Sequence, residues 1–114
     1  MAYNNFKYDV DADGIALVTW DMPGKSMNVF TEEVMVELNA ITDKVMADEA
    51  VKGVVFTSGK DSFSGGADLT MLKGMFEIYR KEKAKDPDKA VKILFEMTGK
   101  MTGLFRKIET SGKP

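Results

Sequence analysis

Polar and apolar residues alternate from Phe6 to Asp11, and Ile15–Trp20 is a mostly apolar run. Together they predict two β-strands joined by the turn Ala12-Asp13-Gly14. Beyond the Pro23-Gly24 break the spacing changes to three and four. Val34, Leu38, Ile41 and Val45 then mark the buried face of a helix, flanked by Met35 and Met46. Thr31 is placed to cap that helix, and Glu32 and Glu33 fall in its first turn, where the positive end of the dipole favours acids. Gly53 opens a third strand, and the apolar and β-branched run Val54-Val55-Phe56-Thr57 predicts that it is buried. Gly65-Gly66 turns the chain into a second helix from about Leu69 to Lys83, with Leu69, Leu72, Phe76 and Tyr79 along one face. Asp86-Pro87 starts a third helix carrying Val91, Leu94, Phe95, Met101, Leu104, Phe105 and Ile108. Gly99 and Gly103 each weaken it by about 1 kcal/mol relative to Ala. They mark either close packing or a kinked stretch, and close packing is the preferred reading. The fold class is α/β: one ββα unit, the strand of a second, and two further helices.

Composition narrows the function. With 114 residues, 44% hydrophobic and 30% charged, the chain supports one small globular domain. A net charge of −2 with interspersed signs leaves no electrostatic footprint for nucleic acid. The N-terminus lacks an apolar signal-peptide core and no run is long enough for a membrane span, so a cytoplasmic location is expected. The sequence has no cysteine and no histidine. Thiol chemistry, Ser-His-Asp triads and histidine general bases are therefore excluded for this chain alone, leaving proton transfer to carboxylates, Lys or Tyr.

Two familiar motifs fail on inspection. Asp9-Val10-Asp11-Ala12-Asp13-Gly14 matches the first half of a calcium-binding loop, but the twelfth position is Trp20 and strands flank it instead of helices. A hairpin turn is the better reading. Gly53–Asp61 approaches a phosphate-binding loop, yet the spacing is one residue out and Asp61 stands where a hydroxyl would meet magnesium. The nine methionines read mainly as core, with Met71 and Met75 the best candidates for a fatty-acyl wall because they lie just beyond the glycine turn.

A strand that feeds a glycine turn into a helix start leaves unpaired N–H groups able to stabilise a negatively charged oxygen. At this turn Phe63-Ser64-Gly65-Gly66-Ala67-Asp68-Leu69 resembles the oxyanion-hole segment, Phe-x-Ala-Gly-Ala-Asp-Ile/Leu, of the enoyl-CoA hydratase/isomerase (crotonase) superfamily. Upstream, Asp21-Met22-Pro23-Gly24-Lys25-Ser26-Met27-Asn28-Val29-Phe30 is similar to the family's Pro-Lys-x-x-Asn-Ala-Leu loop. Leu104–Pro114 resembles the segment that leads into its next strand. Met71–Gly103 looks most like the hydratase region of bacterial multifunctional fatty-acid oxidation proteins.

That resemblance implies a partial crotonase-type ββα spiral, with residues 1–114 as the N-terminal fragment of one hydratase/isomerase domain. It implies that the Ala67 N–H is one donor of the oxyanion hole for an acyl-CoA thioester. Lys25, Ser26 and Met27 would approach coenzyme A, while Ser64, Gly66, Asp68 and Leu69 would line the adenine or pantetheine path; Asp68 reads first as a helix cap. No cofactor is expected on this segment, with NAD confined to a downstream dehydrogenase domain. The resemblance also implies a thiolase partner for the full-length protein. The family's second donor and its two catalytic glutamates lie beyond the matched residues, and none of Glu32, Glu33, Glu37, Glu49, Glu77, Glu82, Glu96 and Glu109 matches a catalytic position. The expectations are no hydration by this chain alone and a homo-oligomer formed through exposed apolar surface. Another crotonase-type acyl-CoA reaction and a non-catalytic assembly module are the alternatives.

Overall fold

The computed structural model describes residues 3–114. It contains strands β1 (Phe6–Val10), β2 (Ile15–Trp20) and β3 (Gly53–Ser58), and helices α1 (Glu32–Ala47), α2 (Leu69–Lys85) and α3 (Pro87–Glu109). The three-stranded sheet has the order β1-β2-β3, antiparallel between β1 and β2 and parallel between β2 and β3. The carboxylate of Asp11 ends β1 one residue earlier than the alternation predicts: its Oδ1 accepts from the N–H groups of Asp13 and Ile15, both at 2.9 Å. This Asx-type turn sets the hairpin and dismisses the calcium-loop alternative.

The core lies between one face of the sheet and α1. Ala16, Val18 and Trp20, two residues apart on β2, are buried together with Phe6 of β1. They meet Val34, Leu38, Ile41 and Val45 of α1, all four buried as their spacing predicts. Thr31 caps α1 by accepting from the Val34 N–H at 3.1 Å. At the other end, Lys113 Nζ donates to the carbonyls of Val45 at 2.6 Å and Asp48 at 2.7 Å, pairing a cation with the negative end of the helix. The N-terminal segment is tied to α1 by acids. Asn5 Nδ2 donates to Glu33 Oε1 at 2.9 Å and to Glu37, and Asn4 Nδ2 donates to Glu33 Oε1 at 3.1 Å. The Asn4 bond, then the Asn5 bond, holds the Glu33 carboxyl below its ordinary range.

Two expectations need correction. β3 is not a buried strand: it is an edge of the described sheet, and Val55 and Phe56 are 48% and 37% exposed. Its apolar run reflects a surface that α1 and β2 do not cover. Nor do Gly99 and Gly103 mark close packing, since a Cβ at either position would meet nothing within 4 Å. They sit within one unbroken 23-residue α3. The apolar face predicted for α3 is buried only at Leu104; Val91, Phe95 and Phe105 are exposed. α2 and α3 therefore pack as a hairpin that projects from the sheet layer. The Cα radius of gyration is 16.5 Å, against about 13 Å for a compact chain of this length. No helix among the described residues is long and apolar enough to cross a membrane.

Candidate functional site

β3 delivers the chain into the segment Gly59–Asp68, and this segment returns alongside residues 28–30. Gly65 N–H donates to Asn28 O at 2.7 Å, Phe30 N–H to Gly66 O at 2.8 Å, and Asp68 N–H to Phe30 O at 2.8 Å. Phe30 and Ala67 thus form a parallel bridge. Because the Gly66 carbonyl and the Asp68 N–H both point at Phe30, the intervening Ala67 N–H points to the opposite edge. It donates to no other group among the described residues. An unpaired amide on the outer edge of this bridge can donate to a ligand oxygen.

The two glycines of the turn serve different ends. Gly66 has φ +93°, a conformation L-residues rarely adopt, and its N–H donates to Ser64 Oγ at 3.0 Å. Gly65 has an ordinary backbone, but a Cβ there would lie 2.3 Å from Met27 Sδ. The residue is glycine where the crotonase segment usually has alanine, and Met27 fills the space. Asp68 caps α2 by accepting from the Met71 N–H at 3.1 Å, as its position predicts.

Ala67 contributes to an open groove of about 890 Å³ lined by residues of α1, α2 and α3. Met35, Met71, Met75, Met97 and Met101 line it, with Glu32, Lys100 and Lys107 among its polar residues. Met71 and Met75, singled out by their sequence position, do share this wall with Ala67. Ser64 and Gly66 lie elsewhere, on a second hollow of about 410 Å³ with Trp20, Phe30 and Phe63. The Trp20 ring meets Phe30 edge-on at 4.8 Å and Phe63 at 5.7 Å, holding the start of the turn and the bridge partner of Ala67 against the core. Leu69 is 80% exposed, and Lys25, Ser26 and Met27 sit on the exposed loop that follows β2.

Two residues were not picked out by the sequence. Asn28 is fully buried. Its Oδ1 accepts from the Met22 N–H at 3.1 Å, and the two N–H groups of its Nδ2 are shared among Trp20 O at 2.8 Å, Ser58 Oγ at 3.0 Å and Phe63 O at 3.1 Å. One amide thereby joins the end of β2, the end of β3, the loop and the turn. Its place inside the Pro-Lys-x-x-Asn-like segment was a usable signal. Lys60 is the other: its side chain is 11% exposed and lies 3.1 Å from Asp21 Oδ1. Nothing in the local charge pattern marks it out.

The family model described as enoyl-CoA hydratase/isomerase matches residues 11–98, which include both the loop and the glycine turn. The chain belongs to the enoyl-CoA hydratase/isomerase family. It is 43% identical over 70 residues to the fatty acid oxidation complex subunit alpha of Idiomarina loihiensis, covering 60% of this chain and 10% of that protein. The corresponding subunit of Shewanella amazonensis is 49% identical over 61 residues, 53% of this chain and 9% of that protein. The chain therefore spans about a tenth of the length of these relatives. Among solved structures, a putative enoyl CoA hydratase/isomerase (crotonase) from Legionella pneumophila superposes with a TM-score of 0.74 at 23% identity, over 99% of this chain and 39% of that one. An enoyl-CoA hydratase/isomerase from Mycobacterium paratuberculosis gives a TM-score of 0.55 at 28% identity, over 60% of this chain and 26% of its own. The partial crotonase-type ββα fold expected from the sequence is the fold observed.

Proposed function

We propose that this chain supplies the acyl-CoA binding and oxyanion-stabilising part of an enoyl-CoA hydratase acting in fatty-acid oxidation. The observation that carries the reading is the Ala67 N–H, left without an internal partner on a residue that walls the Met-lined groove. Hydration of a 2-enoyl thioester forms a C3–O bond to water as the C2–C3 π electrons move toward the thioester. Negative charge then accumulates on the carbonyl oxygen until C2 takes a proton. A donor fixed in advance stabilises that oxygen without reorganising, and one such donor is typically worth about 10²–10³ in rate. The acyl tail runs along Met71 and Met75, whose unbranched thioethers adapt to a flexible chain. Coenzyme A lies against Lys25, Ser26 and Met27. Support for fatty-acid oxidation comes from the names of the two relatives.

The test is the carbonyl stretch of 2-butenoyl-CoA labelled with ¹³C at C1, measured by infrared difference spectroscopy on the bound complex. The stretch is expected to fall below its value in water and to recover when the Ala67 amide is replaced by an ester, which deletes the N–H and leaves the Gly66 carbonyl as a weaker acceptor for the Phe30 N–H. The same ester at Asp68, which deletes the bridge N–H instead, is the control for the weakened bridge. A bound ligand with an unshifted carbonyl overturns the oxyanion role. No binding at millimolar ligand overturns the acyl-CoA reading itself.

A further inference from the structure

Residues 23–27, the loop read above as the coenzyme A contact, have little holding them. Pro23 supplies no N–H, Gly24 adopts φ +70° with nothing within 4 Å of its would-be Cβ, and Lys25, Ser26 and Met27 are exposed. Among the described residues, one hydrogen bond reaches this stretch, from Lys60 Nζ to the Lys25 carbonyl. The same ammonium donates to Met22 O at 2.8 Å and lies 3.1 Å from Asp21 Oδ1. Three acceptors thus meet three N–H protons, and a side chain 11% exposed has no donor left for a ligand. Its own backbone is fixed as well: Lys60 N–H donates to Ser58 Oγ at 3.0 Å, and Gly59 N–H to Trp20 O at 3.0 Å. Gly59 sits so close to Asp21 that a Cβ would fall 2.7 Å from Asp21 Oδ2.

We infer that Lys60 is a positioning residue for coenzyme A: it clamps the Asp21–Lys25 backbone so that Lys25, not Lys60, meets the anionic nucleotide end of the ligand. The two lysines divide the work by exposure. Lys25 keeps its ammonium in water, available to a phosphate. Lys60 uses a buried charge to hold three main-chain and carboxylate oxygens in one arrangement, which lowers the ordering cost that a free loop would impose on binding. This inference rests on the coenzyme A reading of residues 25–27, but the clamp itself is a property of the unliganded chain.

Two measurements on the full chain separate these layers. Amide hydrogen exchange of Lys60→Met is expected to speed up at Met22 and Val29, the hydrogen-bonded N–H groups at the two ends of the loop, while Val34–Val45 of α1 stays protected; unchanged exchange at both overturns the clamp. Calorimetric titration with coenzyme A is expected to show about tenfold or greater weakening for Lys60→Met and for Lys25→Met. The double variant should be little weaker than Lys25→Met alone, because Lys60 acts through Lys25. Binding of pantetheine, which lacks the nucleotide, should be unaffected by Lys60→Met. Additive losses in the double variant, or equal loss of pantetheine, overturn the assignment. If the unaltered chain does not bind coenzyme A, the coenzyme A reading and the ligand role of Lys60 fall together, and exchange alone judges the clamp. Should Lys60→Met fail to fold, Lys60→Gln, which keeps a neutral donor, gives the same exchange readout.

Discussion

Truncating Asn28 is the perturbation with the clearest arithmetic. Its four partners are not equally dependent on it. Trp20 O also receives the Gly59 N–H at 3.0 Å. Ser58 Oγ keeps the Lys60 N–H at 3.0 Å and its own donation to Ser62 O at 2.7 Å. Phe63, 53% exposed, can turn its carbonyl to water. The Met22 N–H has no substitute, and Met22 is 4% exposed. Asn28→Ala therefore strands one buried donor, at about 1–3 kcal/mol, and loses roughly another 1 kcal/mol in bonds whose partners are otherwise satisfied. A loss of about 2–4 kcal/mol is expected, a large share of the 5–15 kcal/mol typical of a domain. At ~4 °C per kcal/mol it lowers Tm by about 8–16 °C.

Trp20 is the only tryptophan and accepts directly from Asn28, so urea unfolding followed by its fluorescence reads the effect where it arises. The midpoint should fall with the slope unchanged. Asn28→Asp separates packing from hydrogen bonding. It keeps the acceptor for Met22 but turns a carboxylate toward the carbonyls of Trp20 and Phe63. Its cost at neutral pH should exceed that of the Ala variant and shrink as the pH falls and the buried group takes a proton. A change under about 1 kcal/mol for Asn28→Ala, or an Asp variant as stable as the parent at pH 7, refutes the reasoning.

Gly66→Ala should cost about 1–2 kcal/mol through backbone strain alone, since φ is +93° and no atom lies within 4 Å of the new Cβ. Gly65→Ala should instead displace Met27 and be largely rescued by Met27→Ala; equal unfolding midpoints for both single variants would count against this division. Glu33 is held below its ordinary carboxyl range of 4.5, so its contribution is fully present above that pH and is lost as the pH falls through the lower folded value. Urea midpoints should therefore hold steady from pH 7 down to about 5 and then fall, less steeply for Glu33→Gln; an unaltered slope in that variant rejects the assignment. The outer edge of β3, met at Val54 by the Pro114 carbonyl at 2.8 Å but uncovered beyond it, with Val55 and Phe56 exposed, should drive concentration-dependent association in sedimentation velocity that Phe56→Lys reduces. Sedimentation as a monomer at every concentration removes that expectation.

Most of the architecture was legible because it rests on short-range rules. Alternation located β1, an apolar run β2 and four-residue spacing α1, and Thr31, Asp68 and Asp86-Pro87 each cap or open a helix where capping chemistry places them. The unburied β3 was not legible. An apolar run records that a strand is compatible with burial, whereas burial itself depends on which surfaces meet it. Gly99 and Gly103 misled for a similar reason: a glycine permits close approach without requiring it. At the site, the glycine turn and the loop announced themselves through their motifs, but their mechanical supports did not. Lys60 is an ordinary surface residue by type, and its burial follows only once β3 sets it against the Asp21–Lys25 backbone.

The division between a legible motif and hidden supports follows from the chemistry proposed for the site. A donor drawn from the main chain carries no side-chain signature, so its identity resides in the conformation that frees it. Here that conformation is over-determined. Gly66 supplies the positive φ, Asp68 caps the helix beyond it, and the Phe30 bridge fixes the edge to which the Ala67 N–H points. Asn28 then ties the same segment to β2 and β3. Each support acts on the geometry of the turn alone. Weakening any one of them should consequently lower the carbonyl polarisation of a bound thioester gradually, whereas deleting the amide hydrogen should abolish it in one step. That contrast separates a site built from backbone geometry from one in which a side chain does the polarising.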